Sequence, residues 1–190
     1  MNLLTKSFLL LIPVAMLAGA CNTTDEENVT PTDDNEAITT ATLTLTSQTT
    51  PVQTVTATIE NLNTSADLTN ATLNLRVNTT YTGAVTLLDK TKTPTLDVSA
   101  EVKTEGNEHL LVYTFTPATG SPASLTVMST DTDTNPAPGP YPIGLTTQVR
   151  TGAAGSGKLR LVLRHQPNAK NGTAAPGTSD LDTEFNVLIN

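Results

Sequence analysis

The feature that most constrains this chain is a two-residue alternation of threonine with aliphatic side chains. Ala41, Leu43 and Leu45 alternate with Thr42, Thr44 and Thr46, and Val55, Ala57 and Ile59 alternate with Thr54, Thr56 and Thr58. Successive side chains of a strand leave on opposite faces, so the pattern builds a surface apolar on one side and hydroxylated on the other. It recurs at Leu73, Leu75 and Val77, at Tyr81, Gly83, Val85 and Leu87, and at Ile143, Leu145, Thr147 and Val149. Near the end, Leu159, Leu161 and Leu163 oppose Lys158, Arg160 and Arg164, while Leu181, Thr183, Phe185, Val187 and Ile189 oppose Asp182, Glu184 and Asn186. Pairing of those two strands would set a basic stripe against an acidic one on the solvent face. Residues 109–116 (HLLVYTFT) are apolar on both faces, which predicts a central strand or one covered on both sides.

Turn-forming residues punctuate these runs at 48–51, 61–70, 131–142, 152–157 and 166–180, and the prolines of 131–142 cannot continue a ladder. Residues 100–108 are acidic and fit a short strand or a helical turn equally well. No segment carries an extended helical period. Eight or nine short strands at near-regular spacing predict an all-β fold, an antiparallel β-sandwich of immunoglobulin-like type, occupying residues 37–190. The chain has no Trp and only 3% aromatics, so its core must be built from Leu, Val and Ile. The same scarcity removes the stacking platform that sugars and single-stranded nucleic acids use. A net charge of -8 has the wrong sign for a phosphate backbone, and no nucleic-acid partner is expected.

The first twenty residues read as an export signal. Lys6 supplies positive charge, residues 8–17 (FLLLIPVAML) form an apolar core, and Ala18, Gly19 and Ala20 are the small residues a signal peptidase needs. The run is short of the ~20 residues of a membrane span, and Pro13 interrupts it. Cys21 is the only cysteine, so it has no disulfide partner. We therefore expect a signal peptide at 1–20 and lipidation at Cys21, although Leu17 stands one position further from the cysteine than in the usual lipobox. Residues 21–36 are polar, with acidic clusters at Asp25, Glu26 and Glu27 and at Asp33 and Asp34, and read as a disordered tether. Such an acidic stretch resembles the export signal that sends Bacteroidota lipoproteins to the outer leaflet of the outer membrane, which implies a cell-surface location.

Several further stretches carry a resemblance over most of the chain after Cys21. They are Thr39-Thr40, residues 78–83 leading into 85–88, Glu108-His109, Ile143-Gly144-Leu145, residues 163–167 and residues 182–187. Together they resemble a group of uncharacterised Bacteroidota lipoproteins. The resemblance implies an envelope location and carries no activity. Some of that group bear the label of a type 1 periplasmic binding fold, an α/β architecture; this chain has no succession of strand, helix and strand that would match it.

Few residues offer chemistry. By strand parity His109 shares a face with Leu111 and Tyr113, and His165 with Leu161 and Leu163. If the two strand ends coincide, the imidazoles can bind a transition metal with a carboxylate such as Glu108. Asp131, Asp133 and Asn135 have the alternate spacing of calcium ligands, without the glycine and terminal glutamate of an EF-hand. There is no Gly-x-Ser-x-Gly elbow, no HExxH and no cysteine beyond Cys21, so a non-catalytic protein without a cofactor is expected. The expected partners are the membrane, through the lipid anchor, and a protein or glycan met by the loops. The alternative is a metal- or calcium-binding envelope protein using His109 and His165 or the Asp131 loop.

Overall fold

A computed structural model of the protein describes residues 36–190. The expected signal peptide, Cys21 and the tether up to residue 35 lie outside the described residues. The strands are β1 (Thr40–Ser47), β2 (Thr54–Ile59), β3 (Thr72–Leu75), β4 (Thr80–Asp89), β5 (Leu96–Asp97), β6 (His109–Pro117), β7 (Leu125–Ser129), β8 (Thr146–Thr151), β9 (Gly155–His165) and β10 (Thr178–Ile189). A helix, α1 (Val98–Thr104), settles the ambiguous acidic segment as a helical turn extended by one more. One sheet runs β2-β1-β4-β8-β7, with β5 alongside β4; the other runs β3-β10-β9-β6. The all-β sandwich is as expected, with ten strands instead of eight or nine. Its two strand orders do not by themselves establish an immunoglobulin-like topology.

The inner faces form one core. Leu43, Leu45, Ile59, Tyr81 and Leu87 of the first sheet are fully buried, as are Leu73, Leu75, Leu159, Leu161, Leu163 and Phe185 of the second. Burying a leucine fully stabilises the fold by about 1.5–3 kcal/mol, so this aliphatic cluster is the main source of stability. Tyr81 can lie inside because its hydroxyl is satisfied: it accepts from the Arg76 N–H at 2.8 Å and donates to Gln53 Oε1 at 2.7 Å. On the outer face of the first sheet Thr42, Thr44 and Thr46 meet Thr58, Thr56 and Thr54 in cross-strand hydroxyl pairs.

β9 and β10 pair antiparallel, as their stripes predict. Lys158 reaches Glu184 at 2.8 Å, and Arg160 forms a two-bond fork with Asp182. These contacts are diagonal, since Arg160 stands directly opposite Glu184. All four side chains are exposed, so solvent screening leaves each pair little net contribution to stability.

One sequence expectation needs correction, and one pair of alternatives is narrowed. The second sheet is mixed, because β3 pairs parallel to β10. Periodicity reports which face is buried and cannot report a partner so distant in the chain. Strand β6, expected to be central or covered on both sides, lies at the edge of its sheet. Its free edge has a non-strand neighbour: the Leu111 N–H donates to the Ile143 carbonyl at 2.7 Å, and the Tyr113 hydroxyl donates to the Gly144 carbonyl at 2.6 Å. Residues 141–145 thus cover an edge that would otherwise present unpaired backbone.

Candidate functional site

Three strand ends meet at one end of the second sheet. His109 opens β6, His165 closes β9, and the register sets them directly opposite each other. Their rings stack with centroids 4.9 Å apart and planes 11° from parallel. The coincidence of strand ends required for the two histidines to act together is therefore met. The turn before His109 aims its ring. The Glu108 N–H donates to the Glu105 carbonyl at 2.8 Å, and His109 Nδ1 lies 3.2 Å from that same carbonyl. A carbonyl only accepts, so Nδ1 carries the proton in this bond and Nε2 keeps its lone pair.

The carboxylate nearest that lone pair is Asp180. Its Oδ2 lies 3.8 Å from His109 Nε2, beyond hydrogen-bond reach, and the two side chains are 1% and 0% exposed, Asp180 being the latter. Neither His109 Nε2 nor either Asp180 oxygen has a hydrogen-bond partner. One ligand atom each from His109, His165 and Asp180 lies within 4.8 Å of the others. Four ligands around zinc, at bond lengths of about 2.0–2.1 Å, stand roughly 3.3 Å apart, so side-chain rotation can close these atoms onto one ion.

Asp180 was not among the sequence candidates, and the reason is local. Strict alternation with Leu181 would turn it outward. A register shift between Ser179 and Leu181 instead makes Asp180 the extra residue of a β-bulge, and a bulge re-aims a side chain. Gly177 prepares this geometry, with φ at +74° and so little room that a Cβ would sit 1.8 Å from the His165 carbonyl oxygen. The signal in the sequence was Gly177 three residues before an aspartate that leads into an apolar alternation.

Glu108, the carboxylate expected at the site, lies at its rim: Oε2 is 3.7 Å from His165 Nε2, and its side chain is 40% exposed. Glu108, Glu36, Glu105, His165 and Pro167 line a cleft of about 280 Å³ that opens to solvent. A larger groove, of about 560 Å³, runs over the outer face of β9 and β10, but its charged residues Lys158 and Glu184 are already paired with each other.

The Asp131 loop is not built as a cation site. Asp131 accepts from the backbone N–H groups of Gly144, Leu145 and Thr146 at 2.8–3.2 Å. Asp133 accepts from the N–H groups of Tyr141 and Asn135 and from the Asn135 side-chain amide, and pairs with Lys170 at 2.9 Å in a fully buried contact. Their oxygens brace the loop, and Asn135 presents a donor, so the calcium reading is replaced by a structural one. Lys170 also donates to the Gly106 carbonyl at 2.7 Å, which ties the β9–β10 connection to the turn carrying Glu105 and Glu108.

The protonation states follow from burial. Burial holds the His109 imidazole below its usual range, with its neighbour His165 acting in the same direction. Burial pushes Asp180 up to about 6, against the opposing pull of His165 and Arg164. Glu36 is pushed up to about 7, first by burial and then by the charges of Glu101, Glu105 and Asp180.

Comparison with protein-family models, with curated proteins and with solved structures returns no match.

The Asp180 shift has a measurable consequence. Its pKa is higher folded (about 6) than unfolded (3.8), so its contribution to stability is full below pH 4 and is lost as pH rises through 6. In metal-free protein, Asp180→Asn should therefore be the more stable form at pH 8, by up to about 3 kcal/mol, with the advantage shrinking toward pH 4. Urea unfolding in the presence of a chelator measures this; an advantage independent of pH would contradict it.

Proposed function

We propose that this protein is an envelope-anchored metal-binding domain, held at the membrane by lipidated Cys21 and taking one transition-metal ion through His109, His165 and Asp180. The observation that carries the reading is the pair of buried, unpartnered groups facing each other, His109 Nε2 and the Asp180 carboxylate. An isolated buried carboxylate costs several kcal/mol, and an apolar pair would fill the same space without that cost. A divalent ion offsets the penalty by giving both groups a partner. Imidazole with carboxylate favours zinc or copper over calcium and magnesium, which prefer all-oxygen shells. The Nδ1–carbonyl bond of His109 supports it further, since metal-ligating histidines are commonly held in place through the other ring nitrogen. The open cleft beside His165 gives an ion a way in.

The envelope part of the proposal is supported by the features of residues 1–21: the charged start, the apolar run, the small residues and the solitary cysteine. No helix among the described residues is long and apolar enough to cross a membrane. The acidic residues 25–27 and 33–34 support a place on the outer face of the outer membrane. A second reading draws on the close stack of the imidazoles, which is also a self-sufficient packing arrangement. In it the domain is a non-catalytic module presenting its loops to a protein or glycan, and it binds no metal.

Zinc titration separates the two. Purified protein carrying Cys21→Ser, so that no thiol competes, should bind one equivalent of zinc and gain thermal stability, and either His109→Ala or His165→Ala should remove both effects. Absence of zinc and copper binding to the intact site would favour the passive module. For the anchor, Cys21→Ala should shift the protein from the membrane to the soluble fraction of the producing cell; a protein that stays with the membrane contradicts lipidation at this residue.

A further inference from the structure

The carboxylates around the cleft are more numerous than one ion requires, and one of them comes from an unexpected part of the chain. Glu36 precedes the first strand and follows Cys21 by fifteen positions. It lines the same cleft as His165, Glu105 and Glu108. One oxygen of Glu36, one of Glu105 and a ring nitrogen of His109 lie within 4.8 Å of one another. The residues that follow are fixed to the domain: Ile38 is buried, and the Thr39 N–H and hydroxyl both donate to the Leu88 carbonyl. Glu36 thus stands two residues before the first buried side chain of the sandwich, on the cleft that His165 also lines.

This placement is costly without a cation. Glu36 stands in the field of Glu101, Glu105 and Asp180, all of one sign. Helix α1 and the turn after it deliver Glu101 and Glu105 one helical turn apart, so both face the start of the domain. The same imidazole belongs to the His109–His165–Asp180 group, in which His109 Nε2 and the Asp180 carboxylate are buried without hydrogen-bond partners. Acidic side chains crowded at a rim need not mean a ligand, but here Glu36 and Glu105 come within 4.8 Å of a buried imidazole.

We propose that Glu36 supplies the outer ligand of the metal site, so that loading the ion ties the chain that leads to Cys21 onto the end of the β6-β9-β10 sheet. The inference rests on the metal reading above. It assigns the site a mechanical consequence: the ion holds Glu36 to the end of the sheet, and the loaded and empty protein differ in how firmly that residue is held. Glu105 belongs to the domain on both sides and has no such effect, which makes it the control.

The test uses the full chain with Cys21→Ser in detergent, with zinc as the probe. Glu36→Gln should lower zinc affinity by about 10- to 100-fold, as loss of one partner of a metal site commonly does, while Glu36→Asp should recover part of it. In the chain with Glu36 intact, zinc should slow cleavage after Glu36 by a glutamate-specific protease by at least about ten-fold, the factor expected if the residue is held by an ion bound ten times more often than not. Zinc affinity unchanged in Glu36→Gln but lost in His109→Ala would overturn this inference and leave the three-residue metal site standing. Weakening by Glu105→Gln and not by Glu36→Gln would overturn it too, by assigning the outer ligand to the domain. If the intact chain binds no zinc, the failure lies with the metal reading itself.

Discussion

The antiparallel pairing of β9 with β10 is the constraint on which the rest of the structure depends. Its inner face supplies Leu159, Leu161, Leu163, Leu181, Phe185, Val187 and Ile189 to the core. Its two free edges accept β6 and β3 and so complete the second sheet. Its register is determined twice, by apolar residues that a one-residue slip would turn to solvent and by the charged pairs on the outer face. Because the strands are long, the connection between them begins at the far end of the sheet, beyond the core. There His165 and Asp180 come within reach of each other and of His109.

That end of the sandwich contrasts with the remainder. Through most of the interior, polar groups are absent or satisfied, as Tyr81 and the Asp133–Lys170 pair illustrate. Beside the histidine pair, the Asp180 carboxylate and His109 Nε2 are buried without partners, as are the neighbouring Arg164 Nε and Gln166 Oε1; elsewhere among the described residues only Thr147 Oγ1 and one Asp89 oxygen are. A fold that braces its loops with Asp131 and Asp133 has ample means to satisfy Asp180 in the same way, and does not. The proposed ion explains this economically, since one divalent charge partners both groups and offsets the repulsion among Glu36, Glu101, Glu105 and Asp180. It would also link β6, β9 and β10 at the end where backbone pairing runs out.

Much of the architecture was legible in the sequence because a half-buried strand writes its two faces in alternate residues. The inward sets of β1, β9 and β10, the charge complementarity of the last two strands and the inward facing of both histidines all follow from parity. What parity does not carry is pairing between distant segments. It gave no sign that β3 runs parallel beside β10, or that residues 141–145 cover the edge of β6. The candidate site divides along the same line. His109 and His165 obey the alternation and were accessible; Asp180 breaks it through a bulge, and Glu36 sits before the alternation begins. Asp131 and Asp133 misled for a different reason. Alternate aspartates satisfy backbone N–H groups in a turn as readily as they bind a cation, and only the donors at Gly144, Leu145, Thr146 and Tyr141 distinguish the two uses.

The most direct measurement of the central claim is X-ray absorption at the zinc edge on the full chain carrying Cys21→Ser, loaded with one equivalent of zinc. The account predicts a first shell of nitrogen and oxygen at about 2.0–2.1 Å with the outer-shell scattering of two imidazoles, a signal lost in His165→Ala. A shell made of oxygen alone, or an imidazole signal indifferent to His109 and His165, would contradict it.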